Sequence, residues 1–354
     1  MACLNVCTHN AITIVDSIES YNAIIDESSC VNCNLCNRVC PNINNHELRE
    51  IKYYKQGWAI TEIRRKSSSG GVASALILSF IRNGGYVASC LFEEGEFRYV
   101  LTNDEAEAYK YAGSKYVKSS PNYIYKDIKE LLNKGMKVLF VGLPCHSSAV
   151  QNVCNNNENL YTVDLICHGT PSPKILKQFV EEQGVKWEEI LDIKFREDSS
   201  FGLERDGVRF TPPRVIDSYL RAFLGSLDYT ENCYYCKYAV PERVSDITLG
   251  DAWGQLSDTR SDGVSLILCQ SQKGIELIEK AGLHLEEVDL KKAIESNHQL
   301  QHPSEKHSGR NLFFKELKKG KTVRYATIKS MPKESIKQSV KTGLIKAKII
   351  NRQC

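Results

Sequence analysis

Apolar positions along the chain gather into short runs separated by polar, glycine-rich or proline-marked turns. The densest run, Val72 to Ile81, is apolar on nearly every face, which predicts a buried helix. Arg82 and the Gly84-Gly85 pair supply its stop. Lys137–Val141, Leu160–Ile166 and Gly263–Leu268 are shorter apolar runs and predict buried strands. Tyr86–Phe92 and Phe97–Thr102 predict a strand pair around Glu93–Glu96, and a further strand is expected near Trp58–Ile60. Helical stretches fall between them: one from Asp104, one over Pro121–Asn133, one through Val150 and one through Glu182. This alternation predicts an α/β body with a mainly parallel sheet. Beyond it we expect a loop or hairpin near Phe195, a helix at Ser218–Leu227, a strand within Arg243–Gly254 and a helix at Gly274–Ala281. A tail with helical stretches at Leu312–Lys319 and Ser335–Ile349 follows.

The first residues have a different texture. Two short strands, Ala11–Ile14 and Tyr21–Ile25, precede Cys30-x-x-Cys33-x-x-Cys36-x-x-x-Cys40-Pro41. This is the cysteine spacing of bacterial iron–sulfur ferredoxins. Three thiolates two residues apart can wrap three corners of a cubane, and the fourth, after a longer gap, points to a second cluster. Zinc sites favour two CxxC pairs held well apart, so the uninterrupted ladder argues for iron and sulfide. Cys3 and Cys7 then stand as the third and fourth cysteines of a first half that lacks its beginning. By ferredoxin logic Cys7 joins Cys30, Cys33 and Cys36 in one 4Fe-4S cluster. Cys3 and Cys40 would be two ligands of a further, incomplete one. We therefore expect an α+β ferredoxin-like module ahead of the body.

Composition narrows the class. The chain has 354 residues, 42% hydrophobic and 25% charged, as ordinary globular proteins do. Its net charge of +3 gives no reason to expect a nucleic-acid or membrane partner. Most of the excess is in the stretch from Lys306 to Arg352, which reads as a solvated basic helical tail with few aromatics. No apolar stretch is long enough to span a bilayer, and the start lacks the pattern of a secretory leader. With 14 cysteines, that combination predicts a reducing, cytoplasmic location, where thiols serve as metal ligands or catalysts.

Several body residues are candidates for chemistry. Ser67-Ser68-Ser69-Gly70-Gly71 leads into the Val72 helix, where free N–H groups and the helix dipole suit a cofactor phosphate. It would equally serve as a plain N-cap. Cys145 and Cys167 fall where strands give way to helices, the edge at which open α/β sheets bind ligands. With Cys233-x-x-Cys236 they make four thiols, enough for one more 4Fe-4S cluster or a zinc site. His146 and His168 each follow one of these cysteines and would bond a cluster sulfur, donate a proton near a redox cofactor, serve as a ligand, or satisfy a turn. Asp251 would hold a ribityl or ribose hydroxyl, or cap an Asx-turn. Cys90, Cys154, Cys269 and Cys354 read as ordinary buried or free thiols.

The chain resembles the coenzyme F420 hydrogenase/dehydrogenase beta-subunit family, in its bacterial branch with an N-terminal ferredoxin module. The likeness rests on Ser69-Gly70-Gly71, Ser114-Lys115-Tyr116, Gly142-x-Pro144-Cys145, Cys167-His168-Gly169-x-Pro171-Ser172 and Cys233-x-x-Cys236. Ser245-Asp246-Ile247-Thr248-x-Gly250-Asp251-x-Trp253-Gly254 and Gly263-x-Ser265-Leu266 complete it, all in the family's order. The resemblance implies FAD in the body, contacted by Ser69–Gly71 with Ser68 and by Ser114, Lys115 and Tyr116. It also implies an inner cluster on Cys145, Cys167, Cys233 and Cys236. His146 departs from the glutamine expected after Cys145. The implied organisation is a ferredoxin module over residues 1–45, a flavin and iron–sulfur body over 46–300 and a tail over 301–354. The implied role is oxidoreduction: electrons pass between a ferredoxin-like donor or redox partner subunit, the clusters and FAD, and on to a small organic substrate or deazaflavin-type coenzyme. An electron-transfer or scaffolding subunit with no substrate site of its own is the alternative.

Overall fold

The structure is a computed structural model and describes residues 1–44, 47–197, 200–254 and 263–347. It opens with a small unit: helix α1 (Ala2–Val6), an antiparallel hairpin of β1 (Ile12–Asp16) and β2 (Tyr21–Ile25), and helix α2 (Leu35–Val39). The body begins with β3 (Tyr53–Trp58), α3 (Thr61–Arg65), α4 (Val72–Arg82), β4 (Tyr86–Glu93), β5 (Glu96–Thr102) and α5 (Glu105–Ala108). Next come α6 (Ile124–Asn133), β6 (Val138–Gly142), α7 (Pro144–Val153), β7 (Leu160–Leu165) and α8 (Pro173–Glu181). A small sheet of β8 (Ile193–Glu197), β9 (Ser200–Arg205) and β10 (Val208–Arg209) leads to α9 (Ser218–Leu224). Then follow β11 (Ile247–Asp251), β12 (Ser265–Cys269), α10 (Gln272–Lys280), β13 (His284–Glu286) and α11 (Leu290–Ser296). The basic stretch holds α12 (Arg310–Lys318), α13 (Val323–Ser330) and α14 (Pro332–Lys346).

The main sheet has eight strands in the order β13-β3-β12-β11-β7-β6-β4-β5. Only its centre, β11-β7-β6-β4, is parallel; every pairing outside that centre is antiparallel. The expectation of a mainly parallel sheet therefore holds for the centre, and the whole sheet is mixed. The reason is long-range pairing: Ser265 lies opposite Gly57, so β3 joins a strand some two hundred residues away. The strand expected near Trp58–Ile60 ends at Trp58, and Ile60 instead caps α3.

Prolines start two helices that leave the central strands. Pro144 opens α7 and Pro173 opens α8, where the missing N–H costs nothing. Helix α4 buries Val72, Ala75, Leu76, Ile77, Leu78, Phe80 and Ile81 in one core cluster against the sheet. Each buried Leu or Ile there stabilises by roughly 1.5–3 kcal/mol. A second core lies under α6 and α7 and takes Ala2 and Val39 from the N-terminal unit.

The basic stretch is more than a solvated surface. Phe313, Phe314, Leu317, Val323 and Ala326 share a core with Ile175, Leu176, Tyr219 and Leu220. Lys315, Lys318 and Lys319 stay exposed on the opposite side. The helix α13 has no counterpart in the sequence expectation, since a Thr322 cap rather than an apolar stripe starts it. The end of the helix expected through Ile349, and Cys354, lie outside the described residues. Among the described residues, no helix is long and apolar enough to cross a membrane.

Candidate functional site

A cavity of about 440 Å³ opens at the carboxyl ends of β6, β7 and β11. That volume is within the roughly 300–1,000 Å³ usual for small-molecule and cofactor sites. One end is the start of α4. Gly71, at φ +79°, caps this helix without a side-chain bond, so its first N–H groups are left to another partner. Ser68 and Ser69 line the same end. Ser68 Oγ accepts from the Ser114 N–H at 2.8 Å, and Ser69 Oγ donates to Val264 O at 3.2 Å. Gly70 stands behind this wall; a Cβ there would sit 2.5 Å from Gly57 O and 2.7 Å from Ser265 N. The turn is thus pressed closely against Gly57 and Ser265 of the sheet.

Ser114, Lys115 and Tyr116 line the cavity side. Lys115 Nζ donates to Tyr111 O at 2.7 Å and to Ala112 O at 2.9 Å, and burial pulls its ammonium down to about 8. Tyr116 stacks on Phe223 with centroids 4.7 Å apart. At the other end Asp251 pairs with Arg196 at 2.8 Å, and Asn297 donates to Asp251 O at 3.3 Å. His168 is in the cavity wall beside Cys167, with Nδ1 bonded to Gln299 at 2.6 Å. Burial, aided by His298, pulls the His168 imidazolium down to about 4, so the ring is neutral at pH 7. His146 does not line the cavity. It lies in the first turn of α7, its Nδ1 2.9 Å from Tyr99 Oη, and Tyr99 is the cavity residue.

Cys145, Cys167, Cys233 and Cys236 come from three separate segments and converge. Burial pushes Cys145 up to about 12, with Cys236 and Cys233 adding to it. Burial also raises Cys167 and Cys236, and Cys167 feels the charge of all three other thiols. For Cys233, burial opposes ionisation, but Lys118 and hydrogen bonds from Thr230 and Thr170 outweigh it and lower its pKa. Backbone N–H groups of Gly169, Thr170 and Tyr238 reach the sulfurs of Cys167, Cys233 and Cys236. Four sulfurs with oriented N–H donors form a donor set suited to a sulfur-ligated metal centre. Among the described residues, no three His, Cys, Asp or Glu side chains are arranged to hold a single metal ion.

The ladder forms a second hollow of about 190 Å³, lined by Cys7, Cys30, Cys33 and Cys36 with Ala11, Ile12 and Ile25. Asn32 and Asn34, at φ +55° and +61°, turn the backbone around it. Cys3 and Cys40 are not part of its lining. Burial raises the Cys3 thiol, with Cys40 and Cys36 contributing, so these three are neighbours. Asn152 on α7 donates to Val39 O at 3.2 Å, and Tyr238 Oη to Pro41 O at 3.4 Å. The end of the ladder is therefore fixed to elements that carry Cys145 and Cys236.

Sequence reasoning missed Arg196, Asn297, Tyr99, Phe201, Phe223 and Cys90 in the cavity lining. Cys90 reads in the sequence as an ordinary thiol; it faces the cavity, whereas Cys154 and Cys269 are buried in cores. No motif marks these residues, and Arg196 stands among other charged residues in the sequence.

Two family models match the chain. One describes the N-terminal part of the beta subunit of coenzyme F420 hydrogenase/dehydrogenase and matches residues 54–124; the other describes its C-terminal part and matches residues 135–293. Among solved structures, the chain is similar to one in the xenon-derivatised F420-reducing [NiFe] hydrogenase complex from Methanosarcina barkeri. The identity is 20% and the TM-score 0.52, over 72% of this chain and 91% of that one, a likeness of fold. No curated protein matches.

Proposed function

The chain belongs to the coenzyme F420 hydrogenase/dehydrogenase beta-subunit family, and on that premise we propose that it is an iron–sulfur flavoprotein oxidoreductase. The observation that carries the reading is Cys167, which belongs both to the four-thiol group and to the wall of the cavity. A sulfur-ligated metal centre and an organic cofactor would there share one residue. We assign residues 1–45 to a ferredoxin-like module, 46–300 to the flavin and iron–sulfur body, and 301–354 to a helical basic segment packed on it.

FAD, when bound, supplies the exchange between two-electron chemistry and the single electrons that iron–sulfur clusters carry. The α4 N-terminus with Ser68 and Ser69 would hold its phosphates. Lys115 would place a cation beside an electron-rich ring, and Tyr116, Phe201 and Phe223 would exclude water. Asp251 and Arg196 form the polar end that orients hydroxyls. His168, kept neutral by burial, would offer a ring nitrogen to the cavity while Gln299 fixes its orientation. Cys145, Cys167, Cys233 and Cys236 would hold the inner 4Fe-4S cluster, and Cys7, Cys30, Cys33 and Cys36 the outer one. Cys3 and Cys40 would belong to a cluster that these residues leave incomplete. Electrons would enter at the ladder from a ferredoxin-like donor or partner subunit, and the cavity would serve a small organic substrate or a deazaflavin-type coenzyme.

Anaerobically purified protein tests this reading. We expect flavin absorbance and iron and sulfide for two 4Fe-4S clusters; no flavin and iron well below that amount would defeat it. A second reading, an electron-transfer subunit without its own substrate, is favoured by the similar chain's place in a hydrogenase complex. Turnover of a small substrate by the isolated chain with artificial donors would rule it out.

A further inference from the structure

The four inner thiols are not equivalent. Burial is the first influence on all four, and Cys167 and Cys236 each receive one backbone N–H. Cys233 is different. Thr230 Oγ1 lies 3.6 Å from its sulfur and Thr170 Oγ1 3.8 Å, and the Thr170 N–H also reaches it. Both threonines are buried, at 1% and 4% exposure, so water does not compete for their hydroxyls. They are also braced together: the Thr230 N–H donates to Thr170 O at 3.0 Å, and Cys233 N to Thr230 O at 2.9 Å. The Thr230 hydroxyl also donates to Thr170 O at 3.2 Å, so its one proton is shared between that carbonyl and the sulfur, while the Thr170 hydroxyl faces the sulfur as well. A metal-bound cysteine sulfur carries no proton, so between sulfur and hydroxyl only the hydroxyl can donate.

A cation stands near the same corner. The Lys118 amide donates to Pro171 O at 2.9 Å, next to Thr170, and its ammonium lies 5.6 Å from the Tyr21 ring of the N-terminal hairpin. Its charge acts on both Cys145 and Cys233. Hydrogen bonds to cluster sulfurs and nearby positive charge both favour the reduced, more negative state of a centre.

We propose that Thr170 and Thr230 set the reduction potential of the four-thiol centre through Cys233, making that corner the one where an added electron is best stabilised. The proposal rests on the assignment of the inner 4Fe-4S cluster to these thiols. The step would be a one-electron transfer from a cluster held by Cys7, Cys30, Cys33 and Cys36 to one held by Cys145, Cys167, Cys233 and Cys236, the first oxidised and the second reduced, with no bond formed or broken. Neither threonine is a ligand. Each acts through Cys233 as a positioning residue, so the expected signature is a potential rather than a loss of metal.

The test is a redox titration of the anaerobically purified full chain, followed by electron paramagnetic resonance, with the ladder centre as internal reference. Thr230→Val and Thr170→Val are expected to keep wild-type iron and to shift the inner midpoint to lower potential, with a larger shift in the double variant. Thr230→Ser and Thr170→Ser, which restore a hydroxyl, are expected to return it toward wild type. Lys118→Met, which leaves both threonines in place, should shift it in the same direction and Lys118→Arg should not. Full iron with an unmoved inner midpoint in the double variant would overturn the proposal. Equal shifts at both centres would overturn it too, as a general rather than a Cys233 effect. Wild-type protein with iron for the ladder alone would instead defeat the cluster assignment beneath it.

Discussion

The two cysteine groups are built on opposite plans. In the ladder, three of the four cysteines around the hollow come from one short stretch, Cys33 is exposed, and the walls are few. In the body, the four thiols come from the ends of β6 and β7 and from the Cys233–Cys236 turn, and burial raises three of them. The first plan draws mostly on local backbone turns; the second brings together residues from distant parts of the chain. A thiol that burial keeps protonated must give up that proton to ligate a metal, so metal binding there would release protons and depend on pH. Cys33 is exposed at the outer hollow, whereas in the inner group Cys167 lines the cavity.

Replacing one sulfur in each group should separate them most sharply. Cys167→Ser is expected to remove about half of the bound iron and to disturb the cavity, because that residue lines it. Cys33→Ser should remove a similar share and leave flavin content unchanged. Iron and flavin analysis of both variants checks this, and loss of flavin in both would erase the distinction.

Acid and base should also act differently on the two regions. Burial raises the Asp228 carboxyl from 3.8 to about 8, with Arg310 acting against it. Its folded pKa exceeds its unfolded one, so folded protein binds the extra proton. Body stability is therefore expected to fall as pH rises from about 4 to about 8. Asp228→Asn should flatten that slope in melting curves taken across the window. Asp26 in the N-terminal unit has the opposite sign, since Ser29 and Ser28 hold its carboxyl below the usual value. Its contribution is present above the unfolded pKa and is lost as pH falls through the depressed one.

A smaller and more local effect is expected at the cradle. Gly70→Ala sets a Cβ against Gly57 O and Ser265 N, so the turn must shift, at about 1–3 kcal/mol. Flavin affinity should drop while ladder iron stays, which titration with FAD and metal analysis would show. The smallest change is Ser172→Ala. The Ser172 hydroxyl caps α8 by accepting from the Lys174 N–H and donates to Asp16 Oδ2 at 2.6 Å. Its loss should cost about 1 kcal/mol and loosen the hairpin from the body, seen as faster hydrogen exchange in β1 and β2.

The contrast also explains what could be read from the sequence. That Cys30, Cys33 and Cys36 share one hollow with Cys7 was legible because most of that geometry is local. The helix Val72–Arg82, the central strands and the cysteines at their ends were legible from apolar runs broken at glycine and proline. The positions of β3, β12 and β13 were not, because pairings such as Ser265 with Gly57 depend on the folded sheet. Arg196 and Asn297 reach the cavity from β8 and from the residue after α11. Nothing near them in the chain marks a site. The basic stretch concealed its role for another reason: Phe313, Phe314 and Val323 pack inward while the lysines between them dominate the composition.

In the proposed function, the two sulfur sites and the cavity act in series. The direct measurement is the rate at which a reduced protein donor, too large to enter the cavity, bleaches the flavin in wild-type, Cys33→Ser and Cys236→Ser proteins mixed rapidly under anaerobic conditions; Cys236 does not line the cavity. Fast bleaching is expected in the wild type and a severe loss in both variants, while a small reductant that enters the cavity still bleaches Cys33→Ser. Wild-type bleaching rates in Cys33→Ser with the protein donor would contradict it.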